Sequence, residues 1–97
     1  MEYKLPKHGF VRDMKTSLVS KTDSSLVFEV KENEESLSYY PFNFIYRVTY
    51  TLENNTVNVK IDVVNTNDAV LPFNLGLHPA FRVPLFEKEQ FEDYTIY

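Results

Sequence analysis

Two ten-residue runs of alternating apolar and polar residues, Phe44–Glu53 and Thr56–Asn65, constrain this chain more than anything else in it. In the first, Phe44, Tyr46, Val48, Tyr50 and Leu52 fall on one side and Ile45, Arg47, Thr49, Thr51 and Glu53 on the other. In the second, Val57, Val59, Ile61 and Val63 alternate with Asn58, Lys60 and Asp62. A period of two is the period of a strand with one buried face. Asn54-Asn55 between the runs predicts a tight hairpin, because asparagine tolerates the left-handed backbone of a primed turn.

The same reading extends outward. Met14–Ser20 and Leu26–Glu32 are expected strands joined by a turn at Lys21-Thr22-Asp23-Ser24. Val70–His78 is an expected strand, at an edge or after a bulge because Pro72 cannot donate to a ladder. Phe91–Tyr97 is an expected last strand. Glu34–Tyr40 is the one helical candidate, a single turn ending at Pro41. About six antiparallel strands predict a mainly β fold, a twisted sheet or β-sandwich, with residues 1–97 forming one partial sandwich domain.

Composition narrows the partners. Hydrophobic residues are 43% and aromatic residues 15% of the 97, enough for a packed core, and the 25% that are charged are well mixed. The net charge is −4. Nucleic acid and anionic membrane surfaces are therefore not expected partners, since both require a basic stripe. There is no cysteine and there are two histidines, poor material for a disulfide framework or a zinc site. No metal and no cofactor is expected. The acidic clusters Lys31–Glu35 and Glu87–Asp93 read as solvated loops. No run approaches the ~20 apolar residues of a membrane span, and Met1–Pro6 has no apolar core of a signal peptide, so a cytoplasmic location is expected.

Glycine and histidine are scarce, two of each, and they occur close together: Gly9 follows His8, and Gly76 lies just before His78. On the expected Val70–His78 strand, His78 shares a face with Asn74 and Gly76, opposite Phe73, Leu75 and Leu77. A core histidine would sit with the leucines, so this pattern makes His78 a candidate general acid or base. In Lys7-His8-Gly9-Phe10-Val11-Arg12-Asp13, His8 and Arg12 can donate to hydroxyls or phosphate; the plainer reading is a surface loop with an Arg12–Asp13 ion pair. Tyr39, Tyr40 and Phe42 can stack on a sugar, but such a cluster is more often core.

The ordered series His8-Gly9-Phe10-Val11-Arg12-Asp13, Tyr40-Pro41-Phe42, Tyr50-Thr51-Leu52-Glu53-Asn54-Asn55 and Phe73-Asn74-Leu75-Gly76-Leu77-His78-Pro79-Ala80-Phe81 resembles the aldose 1-epimerase (galactose mutarotase-like) superfamily, most closely its LacX-type branch. The resemblance implies part of a large antiparallel supersandwich with a sugar site in its concave face. It implies interconversion of the α and β anomers of a free hexose by acid–base ring opening. His78 then resembles the general acid and His8 the second histidine, which positions the sugar. Arg12, Asn74 and Phe81 resemble binding residues. The family's base is a glutamate on a late strand that this chain does not match. Neither Glu87, Glu89 nor Glu92 fills that role, so the chain resembles an internal fragment and is expected to be nearly inactive alone. Two alternatives remain open: a hexose-6-phosphate 1-epimerase, and a carbohydrate-binding β-domain without catalysis. The expected partner is a small-molecule sugar, with open sheet edges offering self-association.

Overall fold

A computed structural model describes residues 3–97. Its centre is a four-stranded antiparallel meander, β1 Ser17–Lys21, β2 Ser25–Lys31, β3 Phe44–Glu53 and β4 Thr56–Asn65, in the spatial order β1-β2-β3-β4. The β3–β4 hairpin has the expected limits, with Glu53 opposite Thr56. Asn54 at its tip has φ 54°, the left-handed value its side chain tolerates. The β1–β2 turn is closed by Thr22, whose hydroxyl accepts from the Ser24 and Ser25 amides at 3.3 and 3.0 Å. β1 begins later than expected, because residues 11–13 form a 3-10 turn that carries Met14 into the core. It is also bulged: Leu18 pairs with Phe28 and Ser20 with Val27, leaving Val19 unpaired. β4, at the opposite edge, pairs with β3 without interruption.

The helical candidate is a six-residue helix, α1 Glu34–Tyr39. Asn33 caps it: the Asn33 side chain accepts from the Ser36 amide at 2.7 Å, and Ser36 Oγ accepts from the Asn33 amide at 2.9 Å. Ser36 is fully buried yet fully hydrogen-bonded, which is how a polar side chain is tolerated inside. Pro41 ends the element.

Register places Val30, Tyr46 and Val63 side by side on one face of the sheet. There, Val30, Phe44 and Leu71 are buried, covered by Phe10, Val11, Met14, Tyr40 and Phe42. Tyr40 and Phe42 of the aromatic cluster thus supply core, whereas Tyr39 lines a surface groove. Cover stops halfway along the face. At the far end, Tyr50, Leu52, Val57 and Val59 are 42% to 59% exposed. The fold class is the expected one: mainly β, antiparallel, with one sheet layer present and its apolar face partly unpaired, as in a partial sandwich.

Two expected strands are not formed. Among the described residues, Val70–His78 has no ladder partner. Pro72 and Pro79 lack amide donors, and past the buried Leu71 the alternation reflects no buried face: Phe73, Leu75 and Leu77 are exposed, as are Asn74 and His78. Phe91–Tyr97 is likewise not a strand. Phe91–Asp93 is a 3-10 turn, held by the Gln90 amide donating to Asp93 Oδ2 at 2.8 Å. Tyr94 donates to Glu89 and accepts from the Leu85 amide. Local side-chain bonds have taken the place of strand pairing.

Candidate functional site

His8 lies in a turn closed by the Gly9 amide donating to the Pro6 carbonyl at 3.0 Å. Its φ is 67° and that of Gly9 is 74°. Gly9 therefore suits its place, since glycine enters this region without steric cost. Histidine does so at a cost of about 1–2 kcal/mol, so the turn presents His8 in a strained but defined pose. Gly76, by contrast, has no positive φ, and an added Cβ would meet nothing within 4 Å. Neither a turn nor a close approach explains it.

His78 comes from the far part of the chain, yet its ring centroid lies 6.4 Å from that of His8, with the planes inclined by 59°. The rings are too far apart to bond to each other. A separation of this size leaves room for a polar group of a ligand between them. Two imidazoles so placed can donate to, accept from and shuttle protons on such a group. Both side chains are exposed to solvent.

Contacts with the core lie two residues from His8 on one side and six residues from His78 on the other. Phe10, two residues after His8, packs on Tyr40 at 5.2 Å, Tyr39 at 5.2 Å and Phe44 at 5.9 Å. On the other side Leu71 is buried in the core, and Tyr40 Oη donates to the Pro72 carbonyl at 2.7 Å. Burial pushes the Tyr40 hydroxyl above the usual tyrosine value, which keeps it a donor.

The other expected site residues are not gathered by polar contacts. Among the described residues, no hydrogen bond links Arg12, Asn74 or Phe81 to either histidine. Arg12 is exposed and lies 3.6 Å from Asp13, the surface pair of its plainer reading. Asn74 and Phe81 are exposed. A surface groove of about 470 Å³ flanks the His8 turn, lined by Lys4, Leu5, Pro6, Phe10, Asp13, Glu35 and Tyr39. Burial, then the charges of Glu35 and Asp13, push the Tyr39 hydroxyl up. It is an open groove without either histidine, and convergent proton-transfer groups outweigh volume in choosing a site. Among the described residues, no cluster of three or more acidic, histidine or cysteine side chains could hold a metal ion. Among the described residues, no helix is long and apolar enough to cross a membrane. Sequence reasoning missed Tyr40 as a link between the two histidine segments; the Tyr-Pro-Phe motif was visible, but a contact spanning 32 residues has no local signature.

Comparison with known proteins agrees with the motif series. A family model described as aldose 1-epimerase matches residues 1–96. The plasmid and chromosomal forms of Protein LacX from Lactococcus lactis subsp. lactis are each 37% identical over 91 residues. That alignment covers 93% of this chain, and the chain spans 30% of the length of those relatives. A crystal structure of a galactose mutarotase related enzyme from Lactobacillus acidophilus superposes with a TM-score of 0.66 at 41% identity, covering 68% of this chain and 22% of that one. On sequence and fold together, the chain belongs to the aldose 1-epimerase family.

Proposed function

We propose that this chain supplies the histidine side of a mutarotase site, in an isomerase that interconverts the α and β anomers of a free hexose. The observation that carries the reading is the approach of His8 and His78 to 6.4 Å from opposite parts of the chain. Ring opening requires a proton to leave the C1 hydroxyl while another reaches the ring oxygen. Acid and base must therefore act from two positions. In this reading His78 protonates the ring oxygen. His8 donates to the same region and offsets charge developing there. Arg12, Asn74 and Phe81 bind the sugar once it is in place.

The base is a glutamate from a later strand of the longer family members. Glu89 is engaged by Tyr94. The 97-residue chain is thus proposed to bind sugar without turning it over. The reading puts the enzyme in the cytoplasm and needs no cofactor. A phosphorylated sugar is less well served, because a phosphate site gathers several donors and Arg12 already has Asp13 beside it.

Polarimetry tests the proposal. A protein of the relatives' length should speed the decay of optical rotation of fresh α-galactose or α-glucose, and His78→Asn should lower that rate by about 10²–10⁴-fold, the usual contribution of a general acid. An unchanged rate in His78→Asn would remove His78 from the mechanism. Sugar-induced shifts of both histidine resonances without anomerisation at full length would favour the non-catalytic binding domain.

A further inference from the structure

The two histidines ride on segments that do not touch through regular structure. The His8 segment is a turn followed by a 3-10 helix. The His78 segment has no ladder partner, and among the described residues no hydrogen bond involves residues 73–84. Something else must set their spacing. One side chain meets both segments. The Tyr40 ring packs at 5.2 Å on Phe10, two residues past His8. The Tyr40 hydroxyl donates at 2.7 Å to the carbonyl of Pro72, six residues before His78.

Tyr40 is itself firmly held. Its amide donates to the Ser36 carbonyl at 2.7 Å at the end of α1, and Pro41 follows it. Its ring also meets Phe42 at 5.0 Å and Phe44 at 5.9 Å. Phe44 begins β3, the strand on which the core is built. On the His8 side Phe10 also meets Phe44 directly at 5.9 Å and Tyr39 at 5.2 Å; Tyr40 is the side chain that joins this aromatic group by a hydrogen bond to the His78 segment. Leu71 adds a second anchor on the His78 side, but it is apolar and non-directional, whereas the hydroxyl fixes the direction of the Pro72 carbonyl.

We propose that Tyr40 is a positioning residue that holds His8 and His78 at their mutual spacing, its ring gripping one segment and its hydroxyl the other. The inference rests on the reading of the histidines as one sugar site. Tyr40 does not itself touch the substrate. Phenylalanine in its place keeps the ring packing and removes only the grip on Pro72.

The test is a nuclear Overhauser measurement between the His8 and His78 ring protons in the 97-residue chain, with Tyr40→Phe as the variant and Tyr50→Phe, on the uncovered half of the sheet, as the control. The expected result is a cross-peak in wild type and in Tyr50→Phe that is lost in Tyr40→Phe, while the β2–β3–β4 amide pattern is unchanged. Should Tyr40→Phe unfold, Phe10→Leu loosens the other grip and is expected to weaken the same cross-peak. A cross-peak that survives in a folded Tyr40→Phe chain overturns the proposal. In a protein of the relatives' length, Tyr40→Phe should lower the mutarotation rate about three- to tenfold, the range expected for one lost hydrogen bond, with an unchanged pH profile. If His78→Asn leaves that rate intact while Tyr40→Phe still abolishes the cross-peak, the enzymatic reading fails and the positioning role stands.

Discussion

His8 occupies a backbone conformation that most residues avoid, and the position is solvent-exposed, so packing does not demand an imidazole there. Strain retained at an exposed position is a mark of use rather than of stability. His8→Gly is therefore expected to stabilise the chain by about 0.5–1 kcal/mol, the left-handed penalty less the extra entropy of glycine. Urea midpoints would show it, and the same variant should lose the sugar-induced shift at His78. A lower midpoint would mean that the imidazole makes contacts worth more than the strain. On the polar face of the sheet, Arg47 donates twice to Glu29 Oε2, at 3.1 and 2.7 Å, across the register pair of β2 and β3. The Arg47 hydrogen bond holds the Glu29 carboxyl below its usual 4.5. A lowered carboxyl value means that the pair's stabilisation is fully present above 4.5 and is lost as pH falls through the lower native value. Glu29→Gln should flatten this acid limb in urea titrations run from pH 6 to pH 3; an identical limb in both proteins would assign the acid loss to other carboxylates.

At the scale of elements, α1 depends on its cap. Six residues are too few for a helix to persist on propensity, and Asn33 and Ser36 satisfy each other's amides. Asn33→Ala is expected to cost about 1 kcal/mol and, because Tyr40 is the end of this helix, to weaken the His8–His78 cross-peak as well. Thermal unfolding and the Overhauser spectrum would check both. Elements whose cause is local were legible in the sequence. The β3–β4 hairpin follows from alternation and Asn54-Asn55, and the helix limit follows from Pro41. The site was legible only in part. His8 and His78 stood out by their glycine neighbours and motifs, but the strand argument that first favoured His78 does not hold, because Phe73, Leu75 and Leu77 face solvent as it does. The alternation in 70–78 suggests a strand, but Pro72 within it and Pro79 just after it limit its hydrogen bonding. Phe91–Tyr97 departs from its expected strand for another reason: the bonds of Gln90 with Asp93 and of Tyr94 with Glu89 compete with a ladder. Tyr40's bond to Pro72 depends on tertiary contact and left no trace in either segment's pattern.

For the whole molecule, the core is one-ended. Val30, Phe44 and Leu71 gather where β3 begins, and the sheet face loses cover toward Tyr50, Leu52, Val57 and Val59. A surface of this kind favours association, and β4 adds an unpaired edge beside it. Sedimentation of the 97-residue chain is expected to be concentration-dependent. Val59→Lys, which charges both the uncovered face and the edge strand, should shift it toward monomer while leaving the circular dichroism of the sheet intact. Concentration-independent sedimentation of the wild-type chain would show that the exposed face is inert.

The two margins of the meander are unequal as templates. β1 is five residues long, and its unpaired Val19 breaks the outward row of amides and carbonyls. β4 is twice as long and regular. Any strand added to this sheet, from the same polypeptide or another, therefore finds a matching partner on the β4 side alone, and growth of the sheet has a polarity set by a single extra residue in β1.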